Sequence, residues 1–326
     1  MNQTHTPLFD INQAAGMIRG KLRLGLCCIN NGLSNRKKDK ITLNRTCIRR
    51  TFTPEIALEK ALANVSDIIP MLEWNEDHNI RNFRLSSDMF PHINDPEVTP
   101  YQVTPEIVSK LVEAGALANK LGHRITMHPG QFNVVGTPVK AAFENTVRDL
   151  SHHAWILDTM GIGDEGVLCI HLGGAYGDME STLRRWIDQF DDLPSAVKRR
   201  LAIENTERNG SVRECLTIAQ ECKIPMIYDS HHHACHCMLH KDVEQEPIDD
   251  MMDEILDSWQ GKRPVMHIST QDPTKRVGAH ADYIDQLPME ILTACIHHDV
   301  GIDIDVEAKA KEAAIFDLYS KYPKFF

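Results

Sequence analysis

No stretch of this chain is apolar for long enough to cross a bilayer. The opening MNQTHTPLFDINQAAG is polar and has no apolar centre, so a secretory leader is not expected either. Internal repeats, low-complexity tracts and any linker that would divide two domains are also lacking. A surplus of positive charge is missing too. The 35 Lys and Arg residues face 46 Asp and Glu, a formal charge of −11, whereas nucleic-acid binders usually carry a basic footprint. Two features soften that exclusion. Divalent cations would add positive charge at a site, and Arg36, Lys37, Lys38, Lys40, Arg45, Arg49 and Arg50 cluster in a run that is otherwise a solvated loop. Composition alone does not point to DNA. The 9 cysteines make no disulfide framework, because they are odd in number and scattered; reduced thiols in the cytoplasm are expected.

What is present is a regular alternation. Short β-rich runs at 22–28, 82–86, 123–128, 166–171, 200–204, 225–229, 264–269 and 301–307 are separated by amphipathic stretches at 54–76, 104–121, 140–160, 180–192, 211–222, 246–258 and 308–320. Thr53, Thr104 and Ser211 stand as caps at helix starts. Strands alternating with helices indicate βα units on a parallel sheet, and eight such units fit a closed ring better than an open sheet. The expected fold is a single-domain (β/α)8 TIM barrel over 21–326, preceded by a loosely ordered extension over 1–20.

The chemistry gathers at the strand ends. Six of the eight strands finish in a side chain able to ligate a metal: His128, His171, Glu204, Asp229, His267 and Glu307. Barrels of this kind build their sites at that C-terminal face, from several strands at once. One polar strand end is ordinarily a solvated rim residue; six at equivalent points are harder to dismiss. Glu204, Asp229 and Glu307 in one cavity would repel each other strongly unless cations sat between them. Glu204, between Ile203 and Asn205, points to the face opposite its neighbours and is able to bridge two metals.

The loops after the strands carry further candidates. In ITMHPGQFN, Pro129-Gly130 turns the chain so that Gln131 and Phe132 stand at the mouth, an amide and an aromatic suited to reading or stacking on a base; Phe132 as a buried loop anchor is equally consistent. In HLGGAYGD, a glycine pair followed by Tyr176 is a weak phosphate-turn signal. In YDSHHHACH, Asp229 and His232 on the turn after the sixth strand are able to serve different metals. The neighbouring Cys235-His236-Cys237 lacks a second cysteine pair at zinc-finger spacing. His280 follows His267 on the next loop, with Lys275 and Arg276 between them as phosphate-binding cations. Lys309 begins the last helix, and Lys311 reads as part of its solvated face.

Taken in order, LGLCCIN, NRT, RLSSDMFP, MHPGQF, HLGGAYG, ENTER, DSHHHA, HISTQDPTKRVGAH and EAKAKE make the chain resemble the ultraviolet-damage endonucleases over roughly residues 21–315, and through them the endonuclease IV barrels. The resemblance implies that His128, His171 and Glu204 hold one metal. It implies a second held by Glu204, Asp229, His267 and Glu307, and a third that involves His232 and His280. It implies manganese as the divalent ion, roughly two or three per chain. The substrate it implies is damaged double-stranded DNA, cut immediately 5′ of cyclobutane dimers, 6–4 photoproducts and some other lesions. Asn30, Gln131 and Phe132 fall where the family probes the extruded lesion. Glu204, Lys275, Arg276 and Lys309 fall in the catalytic group. Four positions depart from the family pattern: Leu26 and Phe132 replace tyrosines, Val265 stands where some members have a carboxylated lysine, and Asp95 stands where some have a catalytic histidine, with His92 nearby. A monomer without membrane contact is expected. The main rival is a metal-dependent sugar isomerase or epimerase on the same barrel, which suits the acidic charge; a non-catalytic damage binder would leave the open carboxylate-rich site unexplained.

Overall fold

A computed structural model describes residues 11–243 and 246–326. Its eight strands are β1 Leu22–Cys27, β2 Asn82–Leu85, β3 Arg124–Met127, β4 Leu168–His171, β5 Leu201–Glu204, β6 Met226–Asp229, β7 Val265–Ile268 and β8 Ile302–Val306. They run parallel in sequence order, and β8 pairs back onto β1 to close the barrel, from Leu22 opposite Ile302 to Leu26 opposite Val306. Alternation along the strands sorts the side chains. Ile302, Ile304 and Val306 of β8 face outward, where they join the large core shared with the helices, and Asp303 and Asp305 therefore face inward. Cys169, Ala202, Ile227 and Val265 on the other strands face inward too, and with Val167, just before β4, and Trp259 they make a small apolar plug inside the barrel.

The helices pack around this ring: α1 Ile11–Ile18, α2 Asn31–Ser34, α3 Pro54–Ser66, α4 Ile68–Asp77, α5 Pro105–Leu121, α6 Lys140–Thr159, α7 Met179–Asp191, α8 Ser195–Lys198, α9 Val212–Cys222, α10 Ser230–Leu239, α11 Ile248–Asp257, α12 Met289–His297 and α13 Glu312–Lys321. Thr53, Thr104 and Ser211 cap α3, α5 and α9 as their sequence suggests, Ser211 in a full capping box with Glu214. None of the described helices is long and apolar enough to cross a membrane.

Several local expectations are corrected. The stretch 54–76 is two helices, broken at Asp67, whose carboxylate is drawn away to the Thr42 N–H (2.8 Å) and Arg45 (2.7 Å). The residues after β6 form α10 rather than a turn, because Asp229 caps it by accepting from the His232 N–H at 2.7 Å. The last helix starts at Glu312, so Lys309 and Lys311 precede it on the loop after β8. Of the N-terminal extension, residues 1–10 lie outside the described residues, while Ala15 and Ile18 of α1 pack into the core.

At the N-terminal end of the barrel Asp303 meets three guanidinium groups. Its Oδ1 accepts from Arg23 and Arg263, each at 2.6 Å, and its Oδ2 accepts from Arg23 at 2.7 Å and Arg124 at 3.2 Å.

Candidate metal centre

At the opposite end the strands bring the six expected residues into one layer. Glu204, the last residue of β5, is fully buried at its centre. Its two oxygens face different partners. Oε2 lies 2.8 Å from His128 Nε2, 3.2 Å from His171 Nε2 and 3.0 Å from the Cys169 thiol. Oε1 lies 2.9 Å from His267 Nδ1 and 3.5 Å from His232 Nδ1. Asp229 caps α10 with Oδ1, and its buried Oδ2 has no hydrogen-bond partner. Glu307 follows β8, bonded to the Arg84 guanidinium and 3.5 Å from His267 Nδ1. Four overlapping sets result among the described residues, each with ligand atoms within 4.8 Å of one another: His128, His171 and Glu204; Cys169, Glu204 and His267; Glu204, Asp229 and His232; Asp229, His267 and Glu307.

The electrostatics follow from crowding acids and imidazoles away from water. Burial would push the Glu204 carboxyl up, but His267, His171 and His128 hold it well below the usual carboxylate range. Asp229 goes the other way, raised by burial and by the charges of Glu204 and Glu307 against the pull of His232 and His267. Burial would depress His232 and His267, yet the surrounding carboxylates lift both to about 9. The group as it stands therefore holds protons where positive charge is needed. Imidazole nitrogen and carboxylate oxygen are donors suited to divalent ions such as zinc or manganese, and the unpartnered Asp229 Oδ2 is a buried acceptor of the kind such an ion satisfies. The residues fit a divalent metal centre.

Other expected residues fall on both sides of this layer. His232 joins Glu204 and Asp229, and its ring also lies 6.4 Å from that of His280; His280 stands at the edge, 3.8 Å from Glu307. Val265 is buried in the apolar plug, and Leu26 faces the helices. Lys275 and Lys309 are exposed and both reach Asp272, at 3.2 and 3.4 Å; Arg276 is exposed on the same loop. Lys309 also lines a cleft of about 330 Å³ with Arg84, His280, Glu307 and Lys311, so Lys311 borders the site instead of covering a helix face.

Gln131 is exposed and Phe132 is 69% exposed. The Phe132 ring folds over Gly130, where any Cβ would stand 2.4 Å from it; it is not a buried loop anchor. Tyr176 is exposed under the Arg185 guanidinium. Asn30 is fully buried and caps α2 through the Leu33 N–H, so its carbonyl oxygen is already engaged. Asp95 is bound to Arg49 (2.8 Å) and His92 (3.1 Å) in a separate cleft of about 470 Å³ that Phe132 also lines. That geometry makes it the anchor of Arg49 and His92.

Sequence reasoning missed Arg84, Cys169 and Asp305, all inside the barrel just beneath or within the ligand layer. For Asp305 the signal was present: the run IDIDVE places Asp303, Asp305 and Glu307 on one inward face by simple alternation.

Comparison with known proteins decides between the two barrel readings. The profile described as UV-endonuclease UvdE matches residues 22–325. The chain belongs to that family. It is an enzyme that hydrolyses phosphodiester bonds of DNA. It is 35% identical over 318 residues to the UV-damage endonuclease of Schizosaccharomyces pombe, covering 92% of this chain but 50% of that one. It is 30% identical over 276 residues to the UV DNA damage endonuclease of Bacillus velezensis, covering 84% of each. The chain thus spans about half of the fungal relative and most of the bacterial one. The crystal structure of SacUVDE superposes with a TM-score of 0.79 at 28% identity, covering 93% of this chain and 99% of that one. Endonuclease IV from Thermus thermophilus, at 11% identity and a TM-score of 0.55, shares the fold. The sugar isomerase or epimerase reading is not favoured.

Proposed function

We propose that this endonuclease, acting as a single chain, cuts damaged double-stranded DNA immediately 5′ of ultraviolet photoproducts with the help of two divalent cations, manganese in the first instance. The observation that carries the metal reading is Glu204: its two oxygens serve two separate groups of imidazoles in one buried layer. On this reading His128, His171 and Glu204 hold one ion and Glu204, Asp229, His267 and Glu307 the other. His232 and His280, with rings 6.4 Å apart, border a third, weaker position at the edge of the centre. Ions held in this way would polarise phosphoryl oxygens and offset the charge that develops in an in-line displacement.

The chain's own residues do the rest. Glu204 fixes the two halves of the centre relative to each other. Lys275, Arg276, Lys309 and Lys311 present positive charge to the phosphate beside the Glu307 edge, with Asp272 positioning two of them. Phe132, held out over Gly130, stacks on the extruded lesion while Gln131 reads its polar edge. Extrusion costs less at a photodimer, whose pairing is already weakened. Tyr176, exposed on the loop after β4, contacts the same substrate, and Asn30 holds the start of α2 beside the site. The 5′ polarity and the photoproduct range rest on the family resemblance.

Ultraviolet-irradiated supercoiled plasmid is the test. Incubated with the protein and manganese it becomes nicked, whereas unirradiated plasmid and reactions with chelator stay supercoiled. Equal nicking of both plasmids would remove the lesion specificity. Nicking of neither with any divalent ion would remove the proposed reaction.

A further inference from the structure

Beneath the ligand layer one carboxylate is in neither the expected ligand set nor a hydrogen-bonded ion pair. Asp305 is 1% exposed inside the barrel. Its Oδ1 accepts from Asn82 Nδ2 at 2.7 Å. Gly25 on β1 makes room for that bond: a Cβ there would stand 2.4 Å from Asn82 Nδ2 and 2.6 Å from Asp305 Oδ1. The other oxygen, Oδ2, has no hydrogen-bond partner, and it lies 3.5 Å from His267 Nε2. The opposite ring nitrogen of His267, Nδ1, is the one that faces Glu204 and Glu307.

We propose that Asp305 is a positioning residue for the metal centre, holding His267 through Nε2 so that its Nδ1 presents a lone pair to the cation. The inference rests on the metal reading above and extends it by one layer. A ligating imidazole must be neutral, with one nitrogen free and the other protonated. A carboxylate behind the protonated nitrogen fixes that tautomer, fixes the ring's rotation and raises its basicity. Asn82 and Gly25 serve the same end, since they stop Asp305 from turning toward Arg84, whose guanidinium is 3.8 Å from Oδ2. The side chain touches neither substrate nor cation, and it acts only through His267.

The measurement is manganese affinity of the full-length protein, by titration of free Mn²⁺ with electron paramagnetic resonance, with thermal unfolding in chelator run beside it. Asp305→Ala is expected to weaken the site that includes His267 by about 10–100-fold. Asp305→Asn is the rescue variant. If the Asn82 carboxamide turns over, the introduced carboxamide can donate to it and still accept from His267, so most of the affinity should return although the charge is gone. Affinity in Asp305→Ala equal to the parent's overturns the proposal. So does an equal loss in Ala and Asn variants that tracks their loss of chelator-state stability, because that is packing alone. Should Asp305→Ala fail to fold, Asn82→Ala takes its place: a smaller loss in the same direction supports the proposal, and unchanged affinity overturns it. A parent protein that binds no Mn²⁺ fails at an earlier step, since the metal centre itself is then gone.

Discussion

The two ends of the barrel bury carboxylates in opposite company. At the N-terminal end one acid, Asp303, is bonded by Arg23, Arg124 and Arg263. At the C-terminal end, among the described residues, the guanidinium of Arg84 reaches Asp305 and Glu307, Glu204 and Asp229 have only imidazoles as ion-pair partners, and the oxygens Asp229 Oδ2 and Asp305 Oδ2 have no hydrogen-bond partner. Strand β8 supplies the acid at one end and leads into Glu307 at the other, so neither strand nor fold decides the role. Countercharge does. A buried carboxylate satisfied by arginines is a finished structural joint, whereas a cluster that borrows protons on His232 and His267 is a centre built around charge the polypeptide does not itself supply.

Removing the finished joint should produce the largest change in stability. Asp303→Ala leaves three guanidinium groups facing one another at the end of the barrel, and breaking a buried ion pair in this way costs about 3–5 kcal/mol. Urea unfolding in chelator measures it, and a loss under about 1 kcal/mol would mean that water already satisfies the arginines. The same joint has a pH signature. Burial would raise the Asp303 carboxyl, but Arg23, Arg124 and Arg263 outweigh it and hold the group below its ordinary value. A depressed carboxyl stabilises the fold fully above its unfolded pKa of about 3.9 and loses that contribution as pH falls through the lower folded value. The parent is therefore expected to lose stability on acidification below about pH 4, and Asp303→Asn should lack that share of the loss.

The unfinished end should respond in the opposite way. Glu204→Gln removes the carboxylate shared by both histidine groups, and its chelator-state stability should change little, because a buried charge leaves along with its partners' need for it. Metal content should fall. Incision of irradiated DNA should drop by on the order of 10³-fold, since such ions contribute several kcal/mol to the transition state. A Glu204→Gln protein that keeps its metals and nicks at the parent rate would end the comparison.

Much of this contrast was legible in the sequence at one end only. His128, His171, Glu204, Asp229, His267 and Glu307 announce themselves because strand ends are bounded by turn residues and barrels place those ends together. The interior layer does not. Arg84 in NFRLS and Cys169 in VLCIH look like ordinary members of short strands, and only closure of the barrel sets them beneath Glu204. Asp303 and its arginines come from β1, β3, β8 and the turn before β7, and no local pattern joins residues so far apart in the chain. The helix after β6 was hidden because Asp229 does two tasks: a ligand-like aspartate followed by histidines suggests a metal loop, and its role as an N-cap shows only once the His232 N–H is seen to point at it.

Cation removal sharpens the comparison at a smaller scale. With free manganese at about 100 times its dissociation constant, binding to the folded state alone adds about 2.7 kcal/mol of stability. The parent and Asp303→Asn should both gain that increment, and Glu204→Gln should not. Graded chelation monitored by bound-metal analysis should release first the ion nearest His280, which stands outside the four ligand sets. Release of all ions in a single step would argue for one coupled cluster instead.

The smallest expected effect lies at the rim, where neither countercharge nor metal is at stake. Phe132 is held above the surface by Gly130 and has little to do with folding. Truncating it to alanine should leave unfolding and metal content as they were. It should remove a stacking surface worth about 1–3 kcal/mol per base, or roughly 5- to 150-fold in preference for irradiated over intact duplex. Gln131→Ala should lose less of that preference, since it removes polar contacts and leaves the ring in place. The measurement is the ratio of incision rates on matched irradiated and unirradiated duplexes, with metal content assayed on the same samples. An unchanged ratio in Phe132→Ala would assign the ring to the neighbouring cleft with Asp95 and His92, and lesion reading would then have to come from the loops that carry Tyr176 and Arg276. A reduced ratio with metal content intact would separate reading from cutting, with the rim choosing the lesion and the buried carboxylates serving the reaction.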